Sequence, residues 1–102
     1  HKQNMLEYDS ALLYYTMALN LDSTNKQTYY NMGFCSIQLN EYQKAIDYFT
    51  LAIKFDSSFL LAYHARAYSY DLIKNSEKAN LDWKNCLMLN PSYIPALEGL
   101  NR

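Results

Sequence analysis

The chain has 102 residues, enough for one domain with a modest core. Half of its residues are hydrophobic, which argues against a disordered chain. Its net charge of −1 gives no electrostatic footprint for nucleic acid or for an anionic membrane surface, so neither is an expected partner.

The six predicted helices cover residues 7–21, 25–39, 41–55, 59–73, 76–89 and 93–101. Thr24 and Gln27 have the spacing of a capping box and predict the start of the second helix. Asn40 is the predicted N-cap of the third helix, and Ser92 that of the last. Pro95 would then fall in a first turn, where its missing N–H costs little.

A pattern of small, aromatic and small residues recurs every 34 residues on alternate helices. Spacings of four and three place each set on one helix face. A fixed period of this length predicts a repeat architecture, in which helix pairs must stack to bury their apolar faces. The alternative is a plain helical bundle in which the spacing is accidental. The three sets are Ala11, Tyr15 and Ala18; Ala45, Phe49 and Ala52; Ala79, Trp83 and Cys86.

These residues resemble the tetratricopeptide repeat. Residues 26–59 supply Tyr29, Met32, Gly33, Ala45, Phe49 and Ala52, and residues 60–93 supply Tyr63, Ala67, Tyr70, Ala79, Trp83, Cys86 and Pro91. The pattern departs at Ser36, Ser57 and Arg66, where the family has an aromatic, a proline and an aliphatic residue.

The resemblance implies an all-α fold: a right-handed α-solenoid of antiparallel helix pairs whose first helices line a concave groove. It divides one domain, 1–102, into a partial repeat at about 1–25, two repeats at 26–59 and 60–93, and the start of a further helix at 94–102.

The groove positions of the family can be carried over residue by residue. The resulting face is aromatic and neutral-polar, a set that offers large contact area and hydrogen bonds to a peptide backbone. For Phe34 and Tyr68 the alternative is simple packing on a neighbouring helix. The positions are Gln27, Tyr30, Asn31, Phe34, Ile37, Gln38, Leu61, His64, Ala65, Tyr68, Asp71 and Leu72.

One subfamily grips acidic chaperone tails with a clamp of lysines, asparagines and an arginine. Asn31 matches its middle asparagine, but Leu61 and Ala65 stand where a lysine and an arginine would hold a carboxylate. We therefore expect a groove that prefers an uncharged or hydrophobic segment to an acidic tail.

Motifs for catalysis are weak, and we expect neither an enzyme nor a cofactor or metal site. Cys35 and His64 could form a nucleophile pair, but no third group to orient them is evident. Asp71 and Asp82 stand on different predicted helices, and we expect both to be solvated. Cys35 and Cys86 are expected to be free buried thiols, which favours the cytoplasm or another reducing compartment.

The expected function is that of a protein–protein interaction module holding a peptide segment or helix of a partner in its groove. One alternative is a structural segment of a longer array inside a large assembly, and another is a repeat region attached to a catalytic domain elsewhere.

The two ends of the chain suggest further structure. The chain opens with His1, residues 1–6 read as the end of a helix, and Ile94, Leu97 and Leu100 form an apolar stripe. We therefore expect further repeats, or self-association through the ends.

Overall fold

In a computed structural model, the backbone is described for residues 2–101 and the side chains for residues 6–101. This part of the chain contains six helices and no strand, so the predicted all-α repeat solenoid is confirmed. The helices are α1 (Lys2–Leu21), α2 (Lys26–Gln38), α3 (Tyr42–Phe55), α4 (Leu60–Leu72), α5 (Ser76–Leu89) and α6 (Ile94–Leu100).

Each helix packs mainly on the helices that precede and follow it in the sequence. The closest pairs are α2 with α3 and α4 with α5, and these pairs stack through α3 and α4. In addition α2 touches α4, so the first helices of consecutive pairs lie side by side. The stack measures 37 × 30 × 19 Å.

Phe49 of α3 fills the space between the first helices of two consecutive pairs. It is fully buried, and a Cβ placed on Gly33 of α2 would lie only 2.3 Å from its Cε1 atom. Ala65 of α4 and Ala45 of α3 belong to the same buried cluster. Small residues are therefore required on both sides of this ring, because larger ones would push the helices apart.

Trp83 of α5 repeats this arrangement one repeat later. It packs with Ala67 of α4, and a Cβ placed on Gly99 of α6 would lie 2.4 Å from its Cε2 atom. Ala96 of α6 is fully buried in the same cluster. The short α6 is thus held against α5 by the same kind of contact, an aromatic ring against small residues, that joins α3 to α2 and α4.

Turns between consecutive pairs share one geometry. Asp22, Asp56 and Asn90 stand 34 residues apart, and each side chain accepts the N–H two residues later, at 3.0, 3.0 and 3.1 Å. The hydroxyls of Tyr29 and Tyr63 donate to the carbonyl six residues earlier, at 2.9 and 3.0 Å. These bonds satisfy turn groups that a connection without such side chains would leave to water.

Turns within a pair use a left-handed residue instead. Asn40 has a φ of 62° and Lys74 a φ of 65°. In both turns the next N–H donates to the carbonyl five residues earlier, at 2.8 and 2.9 Å, as is typical where a helix ends in a left-handed residue.

The predicted helix boundaries agree with the structure within one residue, except at the first helix. The separation of residues 1–6 from a helix over 7–21 is wrong, because α1 runs without a break over Lys2–Leu21. His1 lies outside the described residues. Ala45, Ala52, Gly33 and Ala67 are all buried, as the small–aromatic–small pattern predicts.

The predicted capping box is wrong. Asn25, not Thr24, caps α2, and its side chain accepts the N–H of Thr28 at 3.1 Å. Thr24 instead donates its backbone N–H and its hydroxyl to the carboxylate of Asp22. Because Thr24 is hydrogen-bonded to Asp22 in the turn, Asn25 is the residue that caps α2.

Two further caps differ from the prediction. Asn40 is not the N-cap of α3, because its left-handed backbone ends the preceding turn and Glu41 occupies the cap position. Ser92 does not cap α6, which begins after Tyr93 without a side-chain cap. Pro95 does lie in the first turn of α6, as predicted.

We predict that Ala45→Leu lowers the free energy of unfolding by about 1–3 kcal/mol, because the added methylenes overpack a site with no accessible surface. Urea denaturation measures this change. The matched control is Ala11→Leu, the same position one repeat earlier, which is only partly buried and should cost less. Equal costs at the two positions would contradict the packing described here.

We predict that Lys74→Gly raises the free energy of unfolding by about 0.5–1 kcal/mol, because glycine adopts a positive φ without the steric cost that lysine carries. Asn40→Gly is the comparison and should gain less. Asparagine tolerates this conformation, and its side chain accepts a hydrogen bond from Tyr42 at 3.0 Å. A destabilised Lys74→Gly variant in thermal unfolding would contradict the assignment.

Candidate functional site

A cavity of about 300 Å³ opens between α2 and α4. Its walls come from residues spaced three and four apart on each helix, so each helix presents one face to the opening. The lining residues are Tyr30, Phe34 and Ile37 of α2; Leu61, His64, Ala65 and Tyr68 of α4; and Tyr93, which precedes α6.

The α2 wall is an aromatic cluster. The Tyr30 ring lies 4.9 Å from Phe34, edge-on, and 5.0 Å from Phe59. Phe34 also packs 5.9 Å from Phe49, yet 42% of its surface is exposed. Phe34 therefore both packs on α3 and presents a ring to the cavity. Its position is held by ring contacts on two sides, which makes a firm apolar surface.

The α4 wall combines exposed and buried side chains. Leu61 and Tyr68 are 50% and 46% exposed, whereas Ala65 is buried against α3. Between them His64 is partly buried, with its ring edge-on to Trp83 at 5.2 Å. Burial lowers the pKa of His64, so the uncharged imidazole is favoured.

Tyr93 closes the cavity from the turn before α6. Its hydroxyl is hydrogen-bonded to Nδ1 of His64. Burial, and to a smaller extent Cys86, raises the pKa of this phenol. Tyr93 was not predicted as a site residue, although Phe59 stands 34 residues earlier and likewise contacts the α2 wall. An aromatic residue recurring just before a first helix was the available signal.

The structure brings seven of the twelve predicted groove positions around this cavity: Tyr30, Phe34, Ile37, Leu61, His64, Ala65 and Tyr68. The five others do not line it. Gln27 donates to the side chain of Asn31 at 3.2 Å, and Gln38 is exposed near the end of α2. Asp71 is partly buried near the end of α4. Of the described residues that line the cavity, none carries a charge except His64 when it is protonated.

The cysteines are both free and buried, as predicted. Burial raises the pKa of Cys35, and burial followed by Asp82 raises that of Cys86 to about 11. Thiols with raised pKa values are poor nucleophiles, and His64 is bonded to Tyr93 rather than to Cys35. Among the described residues, no group of three histidine, cysteine or acidic side chains is placed to hold a metal ion. No described helix is long and apolar enough to cross a membrane.

The prediction that Asp82 is solvated is wrong. It is only 2% exposed, and its carboxylate accepts two hydrogen bonds from Arg66, at 2.7 and 2.8 Å. Arg66 also donates to Thr50 at 3.0 Å, and Asn85 donates to Asp82 at 3.3 Å. Arg66 replaces the aliphatic residue usual at its position, and the buried carboxylate on α5 is what makes this replacement possible.

We predict that Asp82→Ala destabilises the fold by about 3 kcal/mol or more, because it leaves the partly buried guanidinium of Arg66 without its counter-ion. The double variant Arg66→Met with Asp82→Leu should recover most of this loss, since an apolar pair removes both desolvation costs. Chemical denaturation of the three proteins measures the effect. A double variant no more stable than Asp82→Ala would show that the ion pair has a different role.

The stacked helix pairs and the open apolar cavity define a helical-repeat module for protein interaction. The family model of the tetratricopeptide repeat matches residues 27–59. This match shows that residues 27–59 form a tetratricopeptide repeat, and the solved structures described below have the same fold over nearly the whole chain.

Solved structures of this family superpose over nearly the whole chain. The first repeat domain of Spaghetti (RPAP3), bound to the HSP90 peptide SRMEEVD, matches with a TM-score of 0.88 and 25% identity, covering 93% of this chain and 75% of that one. The Arabidopsis OM64 repeat domain gives 0.87 and 25%, covering 94% and 79%. The first repeat domain of human RPAP3 gives 0.86 and 26%, covering 92% and 74%. A comparison with curated proteins found no match.

Proposed function

We propose that this chain binds a segment of a partner protein in the groove between α2 and α4, with a bulky apolar side chain of that segment inserted in the cavity. The observation that carries the proposal is the exposure of large apolar side chains around one concave opening. Phe34, Leu61 and Tyr68 are 42%, 50% and 46% exposed there. Apolar surface of this kind, gathered in a cavity, is typical of a binding site.

Polar groups near the cavity support a peptide as the ligand. Along α2, Gln27 precedes the residues that line the cavity, Asn31 lies between two of them, and Gln38 follows them. Amide side chains both donate and accept, so they suit the backbone of a bound segment. The Spaghetti domain, which this chain resembles over most of its length, was solved with a peptide bound.

The charge of the cavity supports an uncharged segment. The peptide on the Spaghetti domain, SRMEEVD, is acidic at its end. In this chain Leu61 and Ala65 line the cavity at the positions where the acidic-tail clamp would carry its cations. A carboxylate placed there would lose its hydration without gaining a charged partner.

A second candidate is a structural segment within a larger assembly. On α6, Ile94 and Leu97 are 64% and 42% exposed, and on α1, Leu13 and Tyr14 are 66% and 70% exposed. Such apolar surface at both ends of a stack fits contact with further repeats or with another chain.

We also propose that the protein acts in a reducing compartment, which the two free buried thiols support. The absence of catalytic activity stays a prediction.

The direct test of groove binding is selection of peptides from a display library, followed by affinity measurement against variants. We expect the selected peptides to carry a bulky apolar residue, and Tyr68→Ala to weaken them roughly tenfold or more, since exposed aromatic anchors dominate such interfaces. Lys84→Ala, an exposed charge on α5, is the control and should have little effect. Selected peptides that bind both variants equally would place the binding surface elsewhere and favour the structural candidate.

The charge preference has its own test, calorimetry with a peptide ending in Glu-Glu-Val-Asp. We expect no micromolar affinity, because the cavity wall supplies no cation for the terminal carboxylates. Micromolar binding that is lost when the terminal carboxylate is amidated would show that the groove acts as an acidic-tail clamp after all.

A further inference from the structure

We propose that His64 sets the specificity of this groove by staying uncharged at the cavity wall, where it admits a bulky apolar side chain and disfavours a carboxylate. The inference rests on the proposed function, because it concerns the segment that enters the same cavity. To that function the inference adds a residue that decides which side chain of the partner segment, here called the anchor, enters the cavity. It also adds a dependence of binding on pH.

Geometry fixes the imidazole in the wall. Nδ1 is hydrogen-bonded to the Tyr93 hydroxyl on one side, and the ring lies 5.2 Å from Trp83 on another. Leu61 and Ala65 flank it along α4 and line the same cavity. A ring held by two neighbours from α5 and the turn before α6 has little freedom to turn its charge toward solvent.

The other titratable side chains that line the cavity with His64 are phenols. Tyr30 faces the cavity from α2, Tyr68 from α4 and Tyr93 from the turn before α6, while Cys86 of α5 interacts with Tyr93. From α3, the apolar ring of Phe49 packs beneath the cavity against Tyr30 and Ala65. Among the described residues no carboxylate lines the cavity, so none there offsets a proton on His64, and burial lowers the pKa of this histidine.

The sign of the pH effect follows from this environment. An apolar anchor excludes water from the imidazole and makes its charged form still less favourable, so binding is strongest above the histidine pKa and weakens as the pH falls through it. A carboxylate anchor would behave in the opposite way, since an imidazolium would attract it. The direction of the pH dependence therefore reports the class of anchor that the cavity accepts.

An ammonium anchor is disfavoured for a different reason. Among the described lining residues there is no carboxylate to offset its lost hydration, and only the aromatic rings of Tyr30, Phe34 and Tyr68 could attract it. Norleucine and lysine side chains have the same four-carbon stem and differ in the terminal charge. A comparison of the two isolates the effect of that charge.

The test is an NMR titration of the whole chain with the N-acetyl amides of norleucine, lysine and glutamate, following the methyl signals of Leu61 and Ala65. We expect weak binding of the norleucine compound, weaker or no binding of the other two, and shifts confined to the cavity. From about pH 7.5 to a pH below the lowered pKa of His64, which the titration curve of the ring locates, the affinity for the norleucine compound should fall roughly twofold or more.

Two variants assign the effect. His64→Gln keeps a hydrogen-bonding group beside Tyr93 but does not titrate, so the pH dependence should disappear. The chain has two histidines, and His1→Gln is the matched control, which should keep the dependence. Circular dichroism checks that both variants are folded. The titration curve of the His64 ring in the wild-type chain, recorded with and without the norleucine compound, tests the same linkage between binding and protonation without a substitution.

Several outcomes overturn the inference: preference for the glutamate or lysine compound, affinity that rises or stays constant on acidification, dependence that survives in His64→Gln, or no binding of any compound. The proposed function fails separately, if no library peptide depends on Tyr68. Peptides that depend on Tyr68 but bind equally at both pH values would leave groove binding standing and remove His64 as its specificity-determining residue.

Discussion

The close approach of consecutive first helices to one aromatic side chain is the contact on which the rest of the structure depends. Phe49 touches the position of Gly33 on one side and packs with Ala65 on the other, and Trp83 stands in the same way between Ala67 and Gly99. Because the small residues let each first helix come near the shared ring, α2 and α4 lie side by side. The same contact therefore provides the core and sets the width of the opening in which the cavity lies.

Much of this could be predicted from the sequence, because a 34-residue period repeats both the core residues and the turns. The helix boundaries followed from breaks in that pattern, and the groove positions of α4 were carried over from the family resemblance, four of them lining the cavity. What could not be predicted depends on pairs that are distant in sequence. Gly99 matters only because Trp83 lies against it, and Tyr93 belongs to the cavity only because α6 docks on α5.

Two departures from the family pattern, at Arg66 and at Ser36, have a physical partner or cost that the pattern does not indicate. Arg66 looked like a polar residue at an apolar position, and Asp82 like an ordinary surface carboxylate. The two side chains are bound to each other between α4 and α5. Ser36, which replaces an aromatic, is completely buried, and its hydroxyl has no hydrogen-bond partner within the described residues. A single sequence indicates neither a pairing between helices nor an unsatisfied hydroxyl.

The position of Tyr93 has a consequence for the mechanics of the stack. The cavity is built from three successive first-helix segments: α2, α4 and the residue that leads into α6. In a linear array whose units contact mainly their nearest neighbours, a molecule bound in such a cavity would add to the coupling between units rather than to the stability of any one of them. Docking of the seven-residue α6 on α5 places Tyr93 in the cavity wall, so this docking and any binding in the cavity would be linked equilibria.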